Sequence, residues 1–147
     1  MSAEDLKNQG SDAYRAGNYS QAVEDFSAAI ALETGTSTEA KQFSKLVYSN
    51  RSAAYLQLKE YGKALADANK IVESLDPEWS KGYVRRGDAY FALKDYTRAY
   101  NAYQRAERLD PSESAYKAKT EKALEWITYE SQRNSTRSSA NGGGFGS

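Results

Sequence analysis

The chain has 147 residues, in which 20 Lys and Arg balance 20 Asp and Glu, and it contains neither Cys nor His. This length suits one domain, and the balanced charge provides no overall basic field, so we expect no nucleic-acid partner. Because the chain lacks the commonest metal ligands and the usual general base near neutral pH, we expect no metal, no cofactor and no disulfide.

The N-terminal stretch "MSAEDLKNQG" has neither the basic region nor the apolar region of a secretory signal. No window approaches the roughly 20 apolar residues that a membrane span requires. We therefore expect no membrane association and a cytoplasmic protein, with the nucleus as a second location.

Three units of similar pattern follow one another along the chain, each with a small residue on a first helical stretch and an alanine on a second. The small residues are Gly10, Ser52 and Gly87, the alanines are Ala22, Ala64 and Ala99, and aromatic residues follow at Phe26, Tyr55, Tyr90 and Tyr103. The second and third units each end in Asp-Pro, at Pro77 and Pro111, which are 34 residues apart. Such a period predicts stacked helix pairs, because one pair cannot bury its own apolar face.

This pattern resembles the tetratricopeptide repeat, W-x2-L-G-x2-Y…A-x3-F…P. The resemblance implies an all-α, right-handed superhelical array of three helix-turn-helix repeats, at about residues 3–36, 45–78 and 80–113, followed by a capping helix at about 113–133. The stretch "ETGTSTEAKQFSK" lengthens the interval between the first two repeats, as either a longer helix or a loop. Residues 134–147 are rich in Ser and Gly and are predicted to form a flexible tail.

In arrays of this family, positions 2, 5, 6 and 9 of the first helix of each repeat line the concave groove, since residues three or four apart share a helix face. Lys7, Asn50, Lys81 and Arg85 occupy such positions. Their arrangement resembles the two-carboxylate clamp of tetratricopeptide co-chaperones, whose ligands are the Glu-Glu-Val-Asp tails of heat shock proteins 70 and 90. Lys and Arg can give charge-assisted hydrogen bonds to the two carboxylates of a C-terminal Asp, while Asn50 can donate an amide without adding charge.

The stretches "LKNQG", "VYSNRSAAY" and "EWSKGYVRR" look most like the first repeat domain of Hop-type chaperone-organising proteins. That resemblance implies an adaptor, not an enzyme, which binds the C-terminal tail of heat shock protein 70 or 90. It also implies a monomeric domain of a larger protein. No nucleophile–base pair, phosphate loop or metal-ligand spacing is present to favour catalysis.

Ser11 departs from the family pattern, because the residue after the glycine is usually an Asn that completes the clamp. A hydroxyl can still donate, but it is shorter than an amide. Asn8 lies on the same helix face one turn earlier, and we hypothesise that it compensates. Arg51 and Arg86 stand where Leu is usual, and we expect their stems to pack while their charged heads reach the edge, rather than a direct role in binding.

Two alternatives stay open. One is the small glutamine-rich tetratricopeptide co-chaperone type, which uses the same clamp. The other is a scaffold whose groove binds an internal helix or another subunit, with the clamp residues incidental. The scaffold would show no dependence on a free C-terminus, whereas either clamp protein would.

Overall fold

The computed structural model describes the backbone of residues 1–145 and the side chains of residues 1–137. In chain order its α-helices are α1 (Ala3–Arg15), α2 (Tyr19–Leu32), α3 (Thr38–Gln57), α4 (Tyr61–Lys70), α5 (Ser80–Ala92), α6 (Tyr96–Leu109) and α7 (Ser114–Phe145). A π-helical turn, Ile71–Leu75, continues α4. Among the described residues there is no strand, and no helix is both long and apolar enough to cross a bilayer.

Helices that follow one another in the chain pack together as α1–α2, α3–α4 and α5–α6, and α7 packs on α6. The first helices of the pairs also meet, because α3 contacts both α1 and α5. The predicted all-α array of three helix pairs with a further C-terminal helix is confirmed. This arrangement places α1, α3 and α5 side by side.

The turn inside each pair has the same geometry. Gly17, Lys59 and Lys94 each adopt a positive φ, of 82°, 62° and 64°. The next residue then donates its N–H back into the preceding helix, from Asn18 to Ala13, from Glu60 to Tyr55 and from Asp95 to Tyr90, at 2.8–2.9 Å. A left-handed residue with this back-bond is a common helix ending, and it reverses the chain within three residues.

The small residues named from the sequence stand where the two helices of a pair approach most closely. A Cβ added at Gly10 would lie less than 3.0 Å from the ring of Phe26, and one added at Gly87 would lie equally close to the ring of Tyr103. Ser52, which is fully buried, donates from Oγ to the carbonyl oxygen of Ala64 at 2.9 Å. The prediction of close helix contact at these positions is confirmed.

Two apolar clusters form the core, one in each half of the array. The first combines α1–α3 around Phe26 and Val47, and the second combines α5–α7 around Val84 and Tyr103. Burial of apolar side chains that neighbouring pairs share is the main favourable contribution to such stacks. The array is therefore stable only when neighbouring pairs stay together.

The second repeat begins earlier than the sequence predicts. Residues 33–37 form a loop, and α3 starts at Thr38 rather than near residue 45, with the Ser37 side chain accepting a hydrogen bond from the N–H of Ala40. The inserted stretch is thus partly a loop and partly added helix. The added turns lead into Lys45, whose buried ammonium pairs with Asp76 at 2.6 Å and lies 4.7 Å from the Trp79 ring centre. Trp79 thereby takes part in the junction between the second and third repeats.

The C-terminal segment also differs from the prediction. Helix α7 runs to Phe145, so residues 134–145 continue a helix where a flexible tail is predicted, and residues 146–147 lie outside the described part. Extending an existing helix costs far less than starting one, which allows a helix to run on into Ser-rich sequence. The side chains of residues 134–137 are exposed, so this part of the extension does not belong to the core.

Arg51 forms an ion pair instead of reaching the edge, so the predicted exposed head is wrong. Its guanidinium donates to both carboxylate oxygens of Asp67, at 2.9 and 2.7 Å, and to Ser27 Oγ at 3.1 Å. Burial raises the pKa of the Asp67 carboxyl above its usual value, although the hydrogen bond from Arg51 acts in the opposite direction. Arg51 therefore ties α3 to α4 and to α2.

Arg86 is likewise engaged outside the groove. It donates to Asn69 Oδ1 at 2.9 Å and pairs with Glu73 at 3.3 Å, which links α5 to α4 and its π-helical turn. Its side chain remains partly exposed. Its structural role at the repeat junction agrees with the expectation that it does not bind ligand directly.

Substituting Gly87→Ala tests the close contact of α5 and α6. The added methyl must displace the Tyr103 ring, so we expect the free energy of unfolding to fall by about 2 kcal/mol. Gly62→Ala is the matched control, because nothing lies within 4 Å of its added Cβ and Ala favours helix, so the free energy should rise by about 0.5 kcal/mol. Urea denaturation of the two variants measures both changes, and similar changes in both would contradict the packing account.

The Arg51–Asp67 pair makes a second prediction. Asp67→Ala leaves a mostly buried Arg51 side chain without its carboxylate partner and should lower the free energy of unfolding by about 3 kcal/mol. The double variant Arg51→Met with Asp67→Leu removes both charges and should stay within about 1 kcal/mol of the parent. Equal losses in the single and double variants, measured by urea denaturation, would mean that apolar packing cannot replace the pair.

Candidate functional site

A cavity of about 190 Å³ opens where the first helices of the three repeats meet. Its lining comes from all three repeats and consists of Ser11, Tyr14, Arg15, Phe26, Asn50, Ala53 and Arg85. The polar members stand on α1, α3 and α5, and the floor is apolar and aromatic. The fold therefore collects polar groups from distant parts of the chain around one apolar hollow.

Arg85 is held in place from the neighbouring repeat. Its Nε donates to Ser49 Oγ at 2.9 Å, and Ser49 on α3 is only 2% exposed. This bond uses the inner edge of the guanidinium and leaves the two terminal nitrogens for a ligand, since among the described residues they have no partner. An arginine fixed in this way loses less side-chain freedom when it binds a carboxylate.

Asn50 lies on α3 next to Ser49 and is half-buried. Its amide makes no hydrogen bond to another side chain in the part of the chain whose side chains are described. An amide nitrogen supplies two donors, so Asn50 can contact an anion without adding positive charge. The sequence prediction that Asn50 belongs to a polar groove agrees with this position.

Lys7 and Lys81 lie beside the cavity rather than in its lining. Lys7 is one helical turn before Ser11, and Lys81 is one turn before Arg85, so each lysine shares a face with a lining residue. The Lys7 ammonium pairs with Glu4 at 3.2 Å and lies 5.6 Å from the Phe43 ring centre, whereas Lys81 is exposed. The structure thus gathers Ser11, Asn50 and Arg85 and sets two lysines at the rim.

Asn8 does not join this group. Its side chain is exposed and is absent from the cavity lining, although Ser11 is present there. The hypothesis that Asn8 compensates for Ser11 therefore has no structural support.

The sequence interpretation missed four residues of the lining. Tyr14 and Arg15 follow Ser11 by three and four positions, so helical spacing alone would have placed them on its face. Ala53 carries no chemical signal of its own, and Phe26 is identified from the sequence only as a core residue. Arg15 is mostly exposed and is paired with Asp12, which weakens its contribution to the positive charge of the cavity.

The arrangement suits the binding of an anion. Arg85, Lys7 and Lys81 supply positive charge, and Ser11 and Asn50 supply neutral donors. No group of His, Cys, Asp and Glu side chains able to hold a metal ion occurs among the described residues. A ligand with carboxylates and a small apolar side chain would match both the rim and the floor of the cavity.

These features define a helical-repeat protein with a polar, cationic pocket on the side formed by the first helices. Two family profiles, both described as tetratricopeptide repeat, match residues 7–82 and residues 80–113. The chain belongs to the tetratricopeptide repeat family, as the sequence pattern predicts.

Curated relatives share most of this chain but extend well beyond it. An Hsp70-Hsp90 organizing protein of Triticum aestivum is 42% identical over 79% of this chain, which spans 18% of that protein. A serine/threonine-protein phosphatase 5 of Mus musculus is 36% identical over 80% of this chain and 22% of its own length. A small glutamine-rich tetratricopeptide repeat-containing protein of Mycosarcoma maydis is 33% identical over 96% of this chain and 38% of its own length.

Among solved structures, the first tetratricopeptide domain of Spaghetti (RPAP3) bound to the HSP90 peptide SRMEEVD superposes with a TM-score of 0.73. It is 27% identical to this chain, and the match covers 86% of this chain and 95% of that one.

Proposed function

We propose that this chain is a non-enzymatic adaptor domain that captures the free C-terminal tail Glu-Glu-Val-Asp of heat shock protein 70 or 90. The observation that carries the proposal is the meeting of Ser11, Asn50 and Arg85, from three repeats, around one cavity. A C-terminal Asp brings a main-chain and a side-chain carboxylate close together, and a socket of clustered donors is suited to both.

The polar groups and the apolar floor of the cavity bind different parts of the ligand. Arg85, fixed by Ser49, gives two parallel N–H groups to a carboxylate, while Asn50 and Ser11 complete its hydrogen bonding. Lys7 and Lys81 at the rim attract the acidic segment. The apolar floor, with Phe26 and Ala53, accepts the aliphatic part of the ligand. We expect a dissociation constant near the micromolar range, about −8 kcal/mol, because the pocket is only partly enclosed.

The relatives support this proposal. The wheat protein is named for organising two heat shock proteins, and the Spaghetti domain is solved with a peptide that ends in EEVD. The mouse relative is a phosphatase, of which this chain spans 22%, and no group of side chains able to hold a metal ion occurs among the described residues of this chain. We therefore assign this domain to recognition.

The small glutamine-rich co-chaperone type is the second candidate, favoured by the long match to the Mycosarcoma protein. It uses the same pocket chemistry, so pocket variants cannot distinguish it from the Hop type. A glutamine-rich sequence beyond this domain would favour the small glutamine-rich type, whereas further repeats would favour the Hop type.

Amidation of the ligand tests the proposed chemistry. Calorimetric titration with a peptide that ends in Glu-Glu-Val-Asp should show binding, and the same peptide with an amidated C-terminus should bind about tenfold more weakly or worse. The loss follows from removing one charged acceptor from a site built of donors. Equal affinities for the two peptides would rule out the clamp and favour a scaffold that binds internal segments.

Substitutions in the socket test which residues bind. Arg85→Ala should weaken peptide binding by about 2 kcal/mol, because it removes the fixed guanidinium from a partly desolvated site. Arg108→Ala makes the same change at an exposed position on α6 and should alter binding by less than about 0.5 kcal/mol. Thermal denaturation of both variants checks that they remain folded, and equal affinities for the two variants would contradict the proposal.

Ser11 and Asn8 form a matched pair for a further test, since they stand three residues apart on α1. Ser11→Ala should reduce peptide affinity by about threefold, as expected for one neutral hydrogen bond, whereas Asn8→Ala should leave it unchanged. Calorimetric titration of both variants measures the difference. Loss of affinity on Asn8→Ala alone would restore the compensation hypothesis and remove Ser11 from the socket.

A further inference from the structure

Helix α7 continues the register of the three repeats. It begins at Ser114, which is 34 residues after the start of α5 at Ser80, and that spacing is the length of one repeat. By the same spacing Lys119 corresponds to Arg85. The capping helix therefore carries a cation at the position that supplies the guanidinium of the socket.

A second cavity, of about 200 Å³, lies between α5 and α7. It is lined by Asp88, Phe91, Ala92, Tyr103, Lys119 and Lys122. Asp88 follows Arg85 by three residues on α5, so the two side chains are neighbours on one helix face. The second cavity therefore adjoins the first along α5.

The second cavity has a net positive charge although Asp88 lines it. Its Oδ1 accepts hydrogen bonds from the Tyr103 hydroxyl at 2.6 Å and from Lys119 Nζ at 2.9 Å. Lys122 is exposed and has no ion-pair partner within the described residues. The two lysines and one aspartate leave a net positive charge, and the Lys119 ammonium keeps two of its three N–H groups for another acceptor.

We propose that Lys119 and Lys122 form a second cationic subsite, which binds the acidic side chains two or three residues before the free C-terminus of the ligand. This inference rests on the proposed function and names the part of the ligand that the second cavity takes. Packed helix axes lie about 8–10 Å apart, α7 reaches α5 through the bond of Lys119 to Asp88, and an extended chain advances about 3.3–3.6 Å per residue. A ligand whose last carboxylate lies at Arg85 thus brings the residues two and three before it, which are the two glutamates of Glu-Glu-Val-Asp, to α7.

Lys122 is the cleaner residue to change, because it has no partner whose loss would disturb α7. Lys122→Gln should weaken binding of a peptide ending in Glu-Glu-Val-Asp by about two- to fivefold, as expected for a mostly exposed ion pair. The same substitution should leave the affinity for a peptide ending in Gln-Gln-Val-Asp unchanged. Lys117→Gln is the matched control, since Lys117 is exposed on the same helix, loses the same charge and does not line the cavity.

The Lys119→Gln variant gives a second, independent test of the subsite. Its loss of affinity should again be confined to the peptide that ends in Glu-Glu-Val-Asp. Thermal denaturation measures separately any loss of stability that follows from removing the bond to Asp88. A purely structural role for Lys119 would change binding of both peptides by the same factor. The dependence on ligand charge therefore separates binding from packing.

The outcomes distinguish the two proposals. If the parent domain prefers the free carboxylate but Lys122→Gln and Lys117→Gln weaken both peptides equally, the second subsite is wrong and the socket stands. If the parent domain does not prefer the free carboxylate, both proposals are wrong. A loss confined to the Glu-Glu peptide and to the two cavity lysines supports the subsite.

Discussion

Close contact between the two helices of each pair is the constraint on which the rest of this structure depends. At Gly10 and Gly87 there is no room for a Cβ beside the aromatic ring of the partner helix, and at Ser52 a buried hydroxyl bonds to the backbone of that helix. These contacts fix the orientation of the two helices of a pair relative to each other. Because pairs oriented alike can stack, the first helices come to lie next to one another, and their exposed faces form a common surface.

The functional pocket follows from that stacking and not from any local motif. Ser11 and Arg85 are 74 residues apart in the chain, yet they line one cavity with Asn50 between them in sequence. The Ser49–Arg85 bond crosses from the second repeat to the third, so the array itself orients the guanidinium. Weakening the contact between repeats would therefore disturb binding before it unfolds any single helix.

Charged groups outside the pocket pair with one another and stabilise the second repeat. The Arg51–Asp67 pair joins α3 to α4, and the Lys45–Asp76 pair joins α3 to the segment that leads into α5. Both pairs are largely removed from water, which makes loss of one partner costly. This explains why several cations of a chain with balanced charge are unavailable to a ligand, whereas Arg85 and Lys81 have no carboxylate partner among the described residues.

The sequence predicts features that depend on repetition. Gly10, Ser52 and Gly87 recur at one register position, and so the helix pairs, their close contacts and the place of Asn50 and Arg85 can be read from spacing. Pairing between elements is harder to predict, because nothing in the local sequence around Arg51 indicates that Asp67 is its partner. Likewise, Asn8 looks as suitable as Ser11 until the lining of the cavity is known. The length of α3 and the continuation of α7 past residue 133 depend on where helices start and stop, which composition alone does not fix.

Chemical-shift mapping of the ¹⁵N-labelled domain during titration with a Glu-Glu-Val-Asp peptide tests the central claim most directly. The account predicts that the side-chain amide of Asn50 and the backbone amides around Ser11 and Arg85 shift together, in one saturable process. Shifts confined to α2, α4 and α6, with the Asn50 amide unmoved, would place the ligand on the opposite side of the array and contradict it.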